Sequence, residues 1–323
     1  MRRILLAIAG VSLLFVVACS DEERPVSTIV PAAALTLEAE TPFQGAWKLV
    51  SIESRTPDGE VTPTENPPLG FIMYDPAGYM GVVIQGLERQ PYAGDSATAD
   101  EALAAVTSYT AYFGSFTVDA EAGIVTHHLV GAMNPGWTGS DFPRHYTFEG
   151  DRLTLQPPAG ESGNTVHLTW ERLPAADLGG EVASFVGFWQ LREVVRTDDQ
   201  GNTVPNENPY DNGYIVYSSS GHMMVHLTRP GRQAYAGSAP TADEATAALR
   251  TYGGYVGPFT VHSDEGYVVH HRIGGPNPAT AGTDAQRFYT LVEGEQLTLR
   301  PPPRTVDGRT IQAALTWARM SDP

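Results

Sequence analysis

The sequence contains itself twice. Residues 43–174 align with residues 185–320 along nearly their whole length. GAWKLV (45–50) meets GFWQLR (187–192), RQPYAG (89–94) meets RQAYAG (232–237), and TADEALAAV (98–106) meets TADEATAAL (241–249). Further on, FGSFTV (113–118) meets VGPFTV (256–261), LTLQPP (153–158) meets LTLRPP (297–302), and LTWERL (168–173) meets LTWARM (315–320). A repeat this long is a duplicated domain rather than a solenoid array. Any fold for one copy must therefore suit the other, with residues 175–184 as the short linker between them.

Each copy reads as short strands. In the first, runs rich in Val, Ile, Tyr, Phe, Trp and Thr fall at 45–54, 69–74, 78–85, 113–119, 123–131, 143–149, 152–156 and 165–173, separated by Gly, Pro, Asp and Asn. One helix interrupts them, between the third and fourth strands. Thr98 with Glu101, repeated as Thr241 with Glu244, has the spacing of a capping box ahead of an Ala-rich run. Eight sequential strands with an apolar face must close into a barrel or stack as a sandwich.

The N-terminus has a different character. Arg2 and Arg3 precede an apolar run from Ile4 to Val17, the pattern of a secretory leader too short to span a bilayer comfortably. The run ends in VVAC, which resembles the bacterial lipobox, in which the cysteine becomes the lipid-bearing first residue of the mature chain. Cys19 is the only cysteine in the sequence, so no disulfide forms within the chain. The expected division is a leader over 1–19, a polar tether over 20–42, and the two domains. The resemblance implies a lipid-anchored protein of the bacterial cell envelope facing the periplasm or the exterior; Ser20 after the cysteine favours the outer membrane by analogy. Formal charge is −17, and −19 without Arg2 and Arg3, which repels phosphate backbones and argues against nucleic acid as a partner.

Gly45 and Trp47, repeated as Gly187 and Trp189, form a G-x-W in the first strand of each copy, and each last strand ends in Trp-x-Arg at Arg172 and Arg319. Together with the repeated HH and R-x-Y, this ordered set resembles the bacterial lipocalin-like domain family over about 130 residues of each copy. It lacks the T-D-Y loop signature of classical lipocalins and adds the helix. The resemblance implies an all-β fold of two tandem eight-stranded antiparallel barrels, into each of which the capping-box spacing adds one short helix between strands 3 and 4. It also implies closure of each barrel base by Arg172 over Trp47 and Arg319 over Trp189, a cation–π contact.

Candidate site residues follow from strand alternation. His127 and His128, repeated as His270 and His271, cannot both line one cavity. The His128 face carries Ile124, Thr126 and Val130, whereas the other face carries Leu129 in one copy and Arg272 in the other. This comparison places His128 and His271 inward. On the next strand Arg144 and Tyr146 share a face with Phe148, as Arg287 and Tyr289 do with Leu291, and are expected inward as ligand contacts. Tyr92 and Tyr235 of the RQ-x-YAG segment either gate the barrel mouth, with the helix as a lid, or only position the helix. No HExxH, CxxC, G-x-S-x-G or P-loop is present, and neither a metal nor a cofactor is expected.

The leading functional expectation is binding of small hydrophobic or amphipathic molecules, with Arg144 or Arg287 orienting a polar head. Two other classes stay open. One is a lipocalin-fold isomerase or hydrolase using His128 or His271 as acid or base beside Tyr146 or Tyr289. The other is a pair of filled barrels serving as a spacer or interaction module.

Overall fold

The computed structural model describes residues 42–321 except Glu293 and Asp307. The leader, Cys19 and residues 20–41 of the tether lie outside the described residues. In the first copy the elements are β1 (Gly45–Arg55), β2 (Val61–Pro63), β3 (Leu69–Tyr74), β4 (Tyr79–Gln85), α1 (Ala99–Thr107), β5 (Tyr109–Asp119), β6 (Ile124–Ala132), β7 (Asp141–Glu149), β8 (Arg152–Gln156) and β9 (Thr165–Arg172). The second copy repeats all but β2, as β10 (Gly187–Asp198), β11 (Asn212–Tyr217), β12 (His222–Thr228), α2 (Ala242–Arg250), β13 (Tyr252–His262), β14 (Tyr267–Arg272), β15 (Thr283–Val292), β16 (Gln296–Arg300) and β18 (Arg309–Arg319), with β17 (Arg304–Val306) as an added flap.

Each copy is a closed, eight-stranded antiparallel barrel. Strands pair in chain order, and β1 pairs with β9, as β10 does with β18, to complete the ring. The short β2 and β17 are rim hairpins on β1 and β18. All-β architecture with one helix between the third and fourth barrel strands is thus what the sequence led one to expect. Both helices carry complete capping boxes at Thr98/Glu101 and Thr241/Glu244.

The base of each barrel is sealed from the N-terminal side. Phe43, fully buried, enters barrel 1 and packs edge-on against Tyr74, Tyr146 and Phe148. Its carbonyl accepts the Trp47 Nε1 proton at 2.7 Å, and Phe185 repeats this with Trp189 at 2.8 Å. The Arg172 guanidinium lies 4.0 Å from the centre of Trp47, and that of Arg319 4.1 Å from Trp189. Both arginines also donate to the entering chain, at the carbonyls of Gln44 and Pro42 or of Val186 and Ser184.

One orientation differs from the sequence expectation. His127 and His270 are the inward, fully buried members of their pairs, and His128 and His271 face outward. Val125, His127 and Leu129 share the inner face, and so do Val268, His270 and Arg272. Arg272 made that face look like the outer one. It sits at the upper end of β14, where its guanidinium leaves the barrel to lie 5.9 Å from the Tyr255 ring centre and to bond Thr283 Oγ1 at 2.5 Å. Glycine is required beside these histidines. A Cβ on Gly114 would fall 1.9 Å from the His128 carbonyl oxygen, and one on Gly257 1.8 Å from that of His271.

The two barrels share a core. The outward residues of β3, β4 and β5 (Phe71, Met73, Val83, Ala111, Phe113) bury against those of β11, β12 and β13 (Tyr214, Val216, Met224, Tyr252, Val256). Phe113 stacks on His226 with ring centres 5.3 Å apart and meets Tyr214 edge-on at 4.9 Å, and Phe71 stacks on His222 at 5.6 Å. Equivalent positions face each other: Gly81 is against its counterpart Met224, and Tyr109 against Tyr252. That is the geometry of an isologous dimer made within one chain. The helices lie on the same seam, α1 against α2, with Ala102, Ala105, Ala245 and Ala248 buried.

RQ-x-YAG is the clasp of this seam. Arg89 reaches across to the carbonyls of Gly275 (2.5 Å) and Pro276 (2.8 Å) while holding Ala105 and Ser108 in its own copy. Arg232 does the reverse, donating to the carbonyls of Ala132 and Met133 and to Thr251. Glu101 and Glu244 complete the clasp by accepting from the backbone N–H of Ala93 and of Ala236, both at 2.7 Å. Tyr92 and Tyr235 therefore sit on the inter-barrel seam and gate neither mouth; Tyr92 donates to Pro276 O of the other copy at 3.5 Å. Removing either guanidinium strands buried carbonyls in the opposite barrel. Arg89→Ala and Arg232→Ala are each expected to cost about 2 kcal/mol or more, read as a lowered urea midpoint. An unchanged midpoint would show that the clasp is dispensable.

Candidate binding sites in and between the barrels

Inside barrel 1 the polar residues form one chain. His127 Nε2 meets Tyr74 Oη at 2.8 Å, and Nδ1 meets Tyr112 Oη at 3.2 Å. Barrel 2 repeats it: His270 lies 2.8 Å from both Tyr217 Oη and Tyr255 Oη. A neutral imidazole offers one donor and one acceptor, so two tyrosine hydroxyls satisfy it completely. Burial, aided by the Arg144 guanidinium, pulls the His127 pKa down to about 3, and burial with Arg287 lowers that of His270 well below the ordinary value.

Arg144, Tyr146 and Phe148 occupy the inner face of β7, partly buried, on the strand beside the histidine strand. Arg144 donates to the Pro143 carbonyl and lies over Phe142; Arg287 donates to the Gln286 carbonyl and reaches Tyr255 Oη at 3.5 Å. Tyr146 and Tyr289 pack edge-on against Phe43 and Phe185. The structure thus brings Arg144 and Tyr146, or Arg287 and Tyr289, to the inner wall. It puts His128 and His271 on the other side of that wall.

There His128 bridges Thr117 Oγ1 (2.9 Å) and Asp141 Oδ1 (2.7 Å), and His271 bridges Thr260 (3.0 Å) and Asp284 (2.8 Å). The connectivity matches a hydroxyl–imidazole–carboxylate relay, but it lies as a cross-strand ladder on a convex, solvent-facing wall. An acid–base pair of His128 with Tyr146, or of His271 with Tyr289, is excluded because the barrel wall separates them.

Of several surface concavities, two lie at the barrel ends. An open cleft of about 820 Å³ lies between the barrel bases, bounded by Gly45, Tyr74, Arg172 and their counterparts Gly187, Tyr217 and Arg319. A smaller pocket of about 260 Å³ occupies the mouth of barrel 2, above Val194, Ile311, Ala313 and Leu315 and rimmed by Tyr210, Arg196, Arg229 and Arg304. Sequence reasoning missed this rim. Its signal was present in two departures between the copies. Arg196 and Arg229 replace Ser54 and Gly86, and three extra residues between the LTL and LTW motifs build the β17 flap.

A lipocalin-like domain model matches residues 44–173 and again 186–320, so the chain belongs to the lipocalin-like domain family as a tandem pair. A comparison with curated proteins found no match. Among solved structures, a protein of unknown function of the DUF3598 family from Nostoc punctiforme aligns at 10% identity over 86% of this chain and 96% of its own, with a TM-score of 0.23. A redesigned β-barrel aligns at 16% identity over 43% of this chain and 94% of its own, TM-score 0.22. A transferrin-binding protein B mutant from Haemophilus parasuis aligns at 7% identity over 85% of this chain and 75% of its own, TM-score 0.22.

The buried histidines set an acid limit. His127, His226 and His270 have folded pKa values below their unfolded value, so the unfolded chain binds more protons in that window. Their contribution is complete above the unfolded pKa of about 6.5 and is lost as pH falls toward about 3, the folded value of His127 and His226. Urea midpoints are expected to drop steadily across that range, and His127→Gln to flatten the dependence. An identical slope in the variant would contradict the assignment.

Proposed function

We propose that this chain is a lipid-anchored envelope protein that binds a small amphipathic molecule in a barrel mouth. The observation that carries the reading is the pocket of about 260 Å³ over an apolar floor at the mouth of barrel 2. Its size is just under the ~300–1,000 Å³ range of small-molecule sites, which suits a short apolar tail rather than a bulky ligand. Each methylene buried there contributes ~0.8 kcal/mol, about fourfold in affinity. Beneath the floor, the aromatic plug and the Tyr–His–Tyr chain fill the base, so the ligand enters from the mouth and stays shallow.

The anchor is lipid carried on Cys19 of the lipobox-like VVAC, with the following polar residues as tether. It holds the protein at the periplasmic or external face of the envelope, in the outer membrane. Native mass spectrometry of the chain as purified from its envelope, before and after denaturation, tests both parts. An added mass that stays with the denatured chain reports the lipid on Cys19. A further mass released on unfolding, at one copy per chain, reports the ligand. A chain with no releasable mass, also after incubation with envelope lipid extract, would move the reading to filled barrels with an interaction role.

A further inference from the structure

We infer that the mouth of barrel 2, and not that of barrel 1, is selective for anionic amphiphiles: a single carboxylate-type head held by Arg196, Arg229 and Arg304 above an apolar tail. The inference rests on the ligand-binding reading above and names its chemistry.

Arg196 extends the inner face of β10 that carries Leu191 and Val194, and Arg229 extends that of β12 after Met223, Val225 and Leu227. Both therefore stand where inward side chains reach the rim. Arg304 arrives from β17, which is paired to β18 through Ile311 and places this third cation over the same pocket. Three like charges at one opening repel one another, and the surrounding chain, with a net charge of −17, has carboxylates to spare. None is used here. Among the described residues no ion pair forms at these three arginines. Asp198, next on the inner face of β10, is committed to the turn through Gln200 N, Asn202 N and Asn202 Nδ2. Burial, then Arg304 and Arg229, hold the Arg196 guanidinium below its ordinary pKa, the signature of cations without a counter-charge.

Arg229 is held in place: it stacks 4.1 Å from the Tyr210 ring centre and donates to the Asn208 carbonyl. No hydrogen bond occupies the Arg196 or Arg304 side chain among the described residues, leaving their planar donor forks for a carboxylate. Barrel 1 shows that the fold does not need these charges. Ser54 stands at the position of Arg196, and Gly86 at that of Arg229; Gly86 N and Arg229 N make the same backbone bond, to Ser108 O and Thr251 O. A hydrophobic floor under three uncompensated cations, at one mouth of two, is chemistry for an anion with a tail.

Isothermal titration calorimetry on the full chain with octanoate, 1-octanol and inorganic phosphate tests this. Octanoate is expected to bind at one site per chain, at least ~10-fold tighter than either 1-octanol or phosphate. Raising salt from about 20 to about 200 mM should weaken octanoate but not 1-octanol. The Arg196→Gln/Arg304→Gln variant should lose the preference, and Arg196→Lys/Arg304→Lys should retain most of it. The salt series on the unaltered chain decides the matter should the glutamine variant fail to fold. Equal binding of octanoate and 1-octanol, insensitive to salt, would overturn the anionic-head inference and leave the ligand-binding reading standing. No heat with any probe would overturn the inference as well, and a native mass without releasable ligand would then remove the reading beneath it.

Discussion

Everything in this molecule rests on the burial of one barrel wall against another. A lone lipocalin-like barrel shows its outer face to water, so its strands alternate apolar and polar. Here three strands of each copy are buried on both faces, and their outer residues, Phe71, Met73, Val83 and Phe113 against Tyr214, Val216 and Met224, form a core as buried as either barrel interior. The two arginine clasps close its edge by satisfying the buried carbonyls of Ala132, Met133, Gly275 and Pro276. Equivalent strands of the two copies meet about an approximate twofold axis, but with different side chains: Phe71, Met73, Val83 and Phe113 stand where Tyr214, Val216, His226 and Val256 do.

That seam also limits which surfaces stay open. It consumes β3 to β5, the helices, RQ-x-YAG and their counterparts, while the bases are sealed by Phe43 and Phe185 with their tryptophans and arginines. The mouths lie outside both, and the copies differ there too. Barrel 2 has Arg196, Arg229, Tyr210 and a longer hairpin where barrel 1 has Ser54, Gly86 and Pro68.

Much of the fold was legible in the sequence because its signals are local. Alternation and turn residues marked the strands, the Thr-x-x-Glu boxes marked the helices, and G-x-W with Trp-x-Arg marked the closure. The histidine faces were misread because Arg272, a charged residue on the inner face, escapes at the strand end; alternation alone cannot tell a rim from a wall. The clasp was invisible for a different reason. Arg89 and Arg232 bind backbone carbonyls of the other copy, and a carbonyl has no sequence signature. A hint was nonetheless present: FIMY, GYMGVVIQ, YIVY and MMVHL run without alternation, which is what strands buried on both faces look like.

The central claim, that the two barrels are one thermodynamic body, is tested by hydrogen exchange mass spectrometry across a urea series on the chain and on Leu49→Ala. Leu49 is buried inside barrel 1, away from the seam, and its truncation should cost about 2–5 kcal/mol. The account predicts that amides in β8 and β16, one from each barrel, open at a single urea concentration and that the substitution moves both equally. A barrel 2 that keeps its own midpoint while barrel 1 loses stability would contradict it.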